Sequence, residues 1–294
     1  MKIISKSNWF IFKIKDYPFC DERYVYSSES EFDSEIDLNK LAYQIENSLI
    51  NKSNLIILRL ADGEFQFLFG KKISFKRLNI SLLKNIFNYV KSYFGKFHIV
   101  AATAPGISSG KYSKNDVNNY RSKAFDNIIY LSKKGILALY LIKKKSFDIS
   151  NYFESIDSFL SRNKIKLSSN NYHPFYFVYI ILLNSRFNYL FSGKSVLIVT
   201  GDVHRKKEKT EKYLYQKGFY SVDWYCISSE RSIFDSVLIP QNKYDFIFIA
   251  AGIGKLVLID NFFQVNAVVI DIGFVLEIMN NPSLSKSRDY CAFV

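Results

Sequence analysis

Hydrophobic and polar positions along this chain follow two periods in turn. Ile36, Leu38, Leu41, Ala42, Ile45 and Leu49 recur at helical spacing, which predicts an amphipathic helix over 36–49. After the polar break Asn51-Lys52-Ser53-Asn54 comes the uninterrupted run Leu55-Ile56-Ile57-Leu58, the signature of a strand buried on both faces. That run leads into Arg59-Leu60-Ala61-Asp62-Gly63-Glu64. The same reading predicts a helix over Ile80 to Tyr93, a strand over His98 to Ala102 and a loop from Pro105 to Lys111. Next come a helix over Asn118 to Ser132 and a short strand over Ile136 to Leu141, then helices over Phe147 to Leu160 and Phe175 to Phe191.

The last hundred residues repeat the theme more sharply. Ser195 to Thr200 predicts a strand ending in Gly201-Asp202, followed by a charged helix over Lys207 to Lys217. Strands are predicted at Ser221 to Ile227 and Asp245 to Ala250, a helix over Gly254 to Phe263, and a final strand at Ala267 to Asp271. Alternating strands and helices imply an α/β fold with a Rossmann-like, mostly parallel sheet flanked by helices. The expected organisation is an N-terminal extension and first helix over 1–50, then a single domain over 51–294 with a helical segment at about 146–191. Ligands of such sheets bind beyond the carboxyl ends of the strands. Three loops are expected there: Asp62 to Glu64, Gly201 to Arg205 and Ala251 to Lys255.

Composition changes this picture little. Of the 294 residues, 48% are hydrophobic and 23% charged, an ordinary globular balance. The net charge of +13 favours anionic partners, phosphorylated substrates or an anionic membrane surface among them. The cations are scattered, with short clusters at Lys143 to Lys145 and Arg205 to Lys209, and no nucleic-acid module surrounds them. Nucleic acid is therefore not an expected partner. Cys20, Cys226 and Cys291 are far apart and form no CxxC pair, which suits a reducing compartment. The N-terminus lacks the apolar run of a signal peptide, and the apolar stretch from Phe175 to Leu183 is too short to span a bilayer. The expectation is a cytoplasmic protein with peripheral contact at the inner face of the membrane.

The candidate chemistry lies in the three loops. Asp62 and Glu64 stand at i and i+2 around a glycine, so both carboxylates can turn toward one point as the backbone leaves a strand. Mn²⁺ or Mg²⁺ prefers such oxygen ligands and bridges them to substrate phosphates. Taken alone, Asp-Gly is also an ordinary turn dipeptide, and Glu64 an ordinary acid for a first helical turn. Arg59, near the end of an apolar strand, needs a partner. A carboxylate of its own loop or a forked contact to a donor phosphate would serve. Gly201-Asp202 and Gly252-Ile253-Gly254-Lys255 are glycine-bearing turns in which backbone N–H groups can meet phosphate oxygens, although neither matches GxGxxG or the P-loop. Lys255 faces either a diphosphate or solvent. His204 follows Gly201-Asp202 within reach of a ligand there, whereas His98 reads as a core or edge histidine.

Three blocks together resemble the GT-D type glycosyltransferases, a bacterial family first described as a domain of unknown function. The family opens its site with Arg-[Tyr/Phe]-Gly-Asp-Gly-Glu, and Arg59 to Glu64 keeps the arginine and both acids with Ala61 before the first of them. Gly193 to Arg205 is similar to its nucleotide strand, and Tyr244 to Asp260 with Asn266 to Phe274 is similar to its C-terminal block. The resemblance implies that Asp62 and Glu64 ligate the metal and the donor diphosphate, supported by Arg59. It implies that Gly201, Asp202 and Arg205 lie against the nucleotide, while Gly252 and Asp271 shape the floor of the site. His173-Pro174 stands where the family has Arg-Pro, which makes His173 a candidate ligand residue. Further departures are Lys206 to Thr210, Ile253-Gly254 and Phe274.

The implied activity is inverting, hexosyltransferase-like and metal-assisted. A sugar moves from a nucleoside-diphosphate sugar, first of all a UDP-sugar, to a saccharide acceptor carried on a lipid or a glycan chain, in bacterial surface-glycan synthesis. The alternative from another class is a nucleotide- or polyanion-binding module with a glycosyltransferase-like shell, motivated by the same departures. The sequence does not specify the oligomeric state.

Overall fold

The structure is a computed structural model, and it describes residues 34–69, 114–139, 153–168, 170–201, 203–228, 235–239 and 243–287. The helix expected at 80–93, the strand at 98–102 with His98, and the loop at 105–111 lie outside the described residues. So do Cys20, Cys291, Lys143 to Lys145, Asp202, and the first part of the helix expected at 147–160.

Among the described residues, seven strands form one sheet: β1 (Leu55–Leu60), β2 (Ile136–Leu139), β3 (Tyr172–Pro174), β4 (Ser195–Thr200), β5 (Ser221–Cys226), β6 (Phe246–Ala250) and β7 (Val268–Asp271). Their order is β3-β2-β1-β7-β6-β4-β5, and every neighbouring pair is parallel. The apolar run of β1 is buried from Ile56 to Leu60 because both faces are covered. One face carries α2 (Asp62–Phe69), α3 (Lys114–Lys134), α4 (Phe153–Arg162) and α7 (Lys255–Leu258). The other carries α1 (Ser34–Ile50), α5 (Phe177–Leu183), α6 (Val203–Gln216) and α8 (Val275–Asn280). Residues alternate between the two cores along each strand: Ile56 and Leu58 pack on the first, Ile57 on the second.

The connections obey one hand. The steps β1→β2, β2→β3 and β6→β7 all run toward the β3 edge, and their helices lie on the first face. The step β4→β5 runs the opposite way, and α6 lies on the second face. A fixed crossover hand requires that exchange of faces. Chains leaving β4 and β6, which are neighbours, therefore diverge, and this opens a switch point between their carboxyl ends.

Several expectations are corrected. Phe175 to Phe191 is not one helix. Tyr172–Pro174 is a strand paired with β2, α5 covers only Phe177–Leu183, and Ser185–Leu190 forms a separate 3₁₀ turn. Pro174 disfavours helical backbone at His173. Asn184 takes an extended conformation (ψ 133°) and its side chain accepts from Arg186 N–H at 2.9 Å, ending one element and starting the next. All of α5 is buried, so no polar period marked its ends. The segment expected as a helix over 254–263 is α7 followed by a 3₁₀ turn at Ile259–Phe262. Asp62 to Glu64 is the first turn of α2 rather than a loop, and Val203 to Arg205 begins α6. The short helix α8, which packs against α6, was not expected. Leu38, Leu41 and Ile45 of the first helix pack into the second core.

Candidate functional site

The carboxyl ends of β1 and β7 lie side by side, and Glu64, Lys255, Arg59 and Asp271 meet there. Arg59 is 2% exposed and Asp271 fully buried. Asp271 accepts from the Arg59 backbone N–H at 3.3 Å and from Arg59 Nη2 at 3.5 Å, with Nε 3.5 Å from its Oδ2. The guanidinium also lies 4.8 Å from the Phe175 ring and 5.0 Å from the Tyr179 ring. Burial works against the Arg59 charge, but Asp271, Tyr179 and Glu64 outweigh it and push its pKa above the ordinary arginine value. Among the described residues, its closest carboxylate is therefore Asp271 at the end of β7, and not one of its own loop. Nη1 finds no acceptor among the described residues.

Glu64 is placed by helix capping. Ala61 precedes the first helical residue, and Glu64 Oε2 reaches back to accept from the Ala61 N–H at 2.8 Å. That is one half of a capping box. The other oxygen, Oε1, lies 2.9 Å from Lys255 Nζ, and the same ammonium donates to Asp271 Oδ2 at 2.5 Å. Lys255 is 4% exposed, so it faces the acids and not solvent. Burial disfavours its charge most, yet Asp271 and Glu64 together hold its pKa above the ordinary lysine value. Two acids and two cations balance in this cluster.

Gly273 makes the approach of Arg59 feasible. Its φ is +42°, and a Cβ there would fall 2.1 Å from Arg59 Nη2. Both the backbone and the space demand glycine.

The two glycine turns also converge. Thr200 and Ala250 are paired partners at the ends of β4 and β6, and Thr200 Oγ1 donates to the Ala250 carbonyl at 3.2 Å. Gly201 and Gly252 therefore leave neighbouring strand ends at the switch point, Gly252 with φ +55°. Lys206 on α6 pairs with Glu277 on α8. The backbone of Asp62 begins α2, and His204 and Arg205 stand in the first turn of α6; their side chains lie outside the described residues.

His173 is not with this group. In register, Arg59 pairs with Ala138 and Ala138 with His173, so two strand spacings, roughly 10 Å, separate the backbones. Its Nε2 is 2.9 Å from Gln44 Oε1 and its ring lies 5.9 Å from that of Phe177. Burial first, and Lys40 second, push its pKa down to about 3. A neutral imidazole cannot stand in for a cationic arginine.

The described residues do not fit a divalent cation at Glu64 as they stand. Both Glu64 oxygens are engaged, and Lys255 occupies the space between Glu64 and Asp271. Like charges 4 Å apart repel by about 4 kcal/mol per unit pair at an effective dielectric of about 20. A divalent ion beside Nζ would meet about twice that opposition before its attraction to the acids is counted. Among the described residues, no group of three His, Cys, Asp or Glu side chains is arranged to hold a metal.

Sequence reasoning missed Phe175, Tyr179 and Gly273. Only Gly273 left a signal, as the glycine two residues after an acid that ends a strand. No family model, curated protein or solved structure matches the chain. No helix among the described residues is long and apolar enough to cross a membrane.

Proposed function

We propose that the protein is a glycosyltransferase whose nucleoside-diphosphate sugar binds across the carboxyl ends of β4, β6, β7 and β1. The observation that carries this reading is Arg59, a buried guanidinium held by Asp271 with Nη1 left without an acceptor among the described residues. Such a group is suited to a diphosphate oxygen. The glycine turns at Gly201 and Gly252 support the reading, because they start at the switch point where backbone N–H groups can approach phosphates.

In the reaction, the bond between the anomeric carbon and the diphosphate oxygen breaks and its electron pair leaves with the diphosphate. The acceptor hydroxyl oxygen bonds to the anomeric carbon from the opposite face, and its proton passes to a base. Arg59 meets the charge that grows on the leaving oxygen, and the rim orients the donor. The acceptor is a saccharide of a bacterial surface glycan, carried on a lipid at the cytoplasmic membrane face, where a net charge of +13 favours anionic carriers.

One observation favours a second reading, a nucleotide-binding module without turnover. Both Glu64 oxygens are consumed in holding α2 and Lys255, which leaves no acid in the described cluster free to act as a base. The deciding experiment incubates the full chain with UDP-, GDP- and dTDP-sugars, with and without Mn²⁺, and follows donor hydrolysis and nucleotide binding. Turnover that falls about a hundredfold in Arg59→Lys supports the enzyme, since a charged hydrogen bond contributes about 1.5–3 kcal/mol. Binding without turnover selects the module. Neither binding nor turnover with any donor sinks both readings.

A further inference from the structure

The position of Lys255 is unlike that of an ordinary surface lysine. Its Nζ sits between two acids that come from different elements, Glu64 of α2 at 2.9 Å and Asp271 of β7 at 2.5 Å. It is itself the first residue of α7, so three separate parts of the chain converge on one ammonium. An ammonium has three donors; among the described residues these two contacts use two, and the third suits a ligand oxygen.

A magnesium ion ligated by Oε1 would stand about 2.1 Å from that oxygen. On the side facing Asp271, that place is already taken by Nζ. Oε2 is engaged by the Ala61 N–H at 2.8 Å.

We propose that Lys255 is the resident cation of this rim, supplying the positive charge a divalent metal would bring to Glu64, so that the protein binds its nucleoside diphosphate without a metal there. The proposal rests on the donor-site reading above and names how that site handles anionic charge. Among the described residues, Lys255 and Arg59 are the two fixed positive charges of the cluster. Asp271 links them, accepting from Lys255 Nζ on Oδ2 and from Arg59 Nη2 on Oδ1. The pair works as a preset clamp whose acids hold the cations in position and do not recruit an ion from solution.

The test titrates Mn²⁺ into the full-length chain and reads bound metal by electron paramagnetic resonance, first without nucleotide. Wild type is expected to show no site that Glu64→Gln removes. Lys255→Ala, which frees Glu64 and Asp271, is expected to gain a one-to-one site, and Lys255→Ala combined with Glu64→Gln to lose it. Lys255→Met, which keeps the packed stem, serves if the alanine variant does not fold. In parallel, UDP affinity is measured calorimetrically in EDTA and in Mn²⁺. Equal wild-type affinity in the two, with a metal-dependent gain of about tenfold or more appearing only in the Lys255 variants, supports the proposal. A one-to-one Mn²⁺ site in wild type that depends on Glu64, or wild-type UDP binding that needs Mn²⁺ and Glu64, overturns it. If UDP and the other nucleotides do not bind at all, the donor-site reading falls, while the Mn²⁺ titrations still decide whether Lys255 holds the cation's place.

Discussion

The two rims of the sheet treat their acids in opposite ways. At the amino ends, Asp245 precedes β6 and accepts from both the N–H and the hydroxyl of Ser195, each at 2.9 Å. Nearby, Asn54 donates to the carbonyls of Phe262 and Val265, tying the start of β1 to the turn before β7. At the carboxyl ends, Asp271 closes β7 but is given to two cations, Lys255 and Arg59. The amino rim uses neutral donors that the backbone turns require anyway. The carboxyl rim assembles full charges, of which Glu64 also serves the backbone, by capping α2. A pocket of about 120 Å³ lies at the amino rim, lined by Lys52, Ser195 and Asp245 among others, yet its acid is already spent on Ser195. Desolvated charge costs free energy that a neutral network avoids, so its concentration at one rim points to function there.

The strongest challenge to this contrast is Asp271→Ala. It leaves Arg59 and Lys255 buried with only Glu64 between them, and a loss of roughly 3–5 kcal/mol in urea unfolding is expected. A loss below about 1 kcal/mol would mean that the cations relax to solvent and that the cluster is not the fixed charge assembly described.

His173 offers a pH probe two strands from Arg59. Its folded pKa, near 3, lies below the ordinary 6.5, so the unfolded chain takes up the proton first as pH falls. The stability this site contributes is complete above about pH 6.5 and is lost progressively down to about pH 3. At pH 4.5 the His173 contribution should be lower by roughly 2–3 kcal/mol than at pH 7. His173→Gln, read in denaturation curves at both pH values, should remove that part of the dependence. An unchanged pH profile would show that the imidazole is solvated.

Gly273→Ala comes next, with about 1–2 kcal/mol from backbone at φ +42° and further displacement of Arg59. Its nucleotide affinity should fall along with its stability, and a stable variant with full affinity would separate Gly273 from the site. The smallest effect is expected at the other rim. Asp245→Ala should cost about 1 kcal/mol, because water can replace it beside the half-buried Ser195. Its nucleotide binding should match wild type, and a loss of binding there would erase the contrast between the rims.

Local pattern carried much of the architecture. The Leu55 to Leu58 run, the strand from Ser195 to Thr200 and the one before Asp271 all stand where their unbroken apolar character predicted. Pattern failed at Phe175 to Phe191, where complete burial erased the polar period that would have separated a strand, a helix and a 3₁₀ turn. The pairing of helices with faces also lay beyond it, since that depends on strand order.

The candidate site divides the same way. The sequence by itself determined that Arg59, Glu64, Lys255 and Asp271 follow or end strands, because charged residues interrupt apolar runs there. Only the tertiary structure decided that they share one rim. Placing β7 beside β1 brings Asp271 to Arg59 across 212 positions of sequence, and α7 carries Lys255 to the same acid. It also decided that Glu64 caps α2 and holds an ammonium, while His173 stays neutral on an apolar face. Those outcomes depend on which groups are desolvated together, and a one-dimensional pattern does not contain that information.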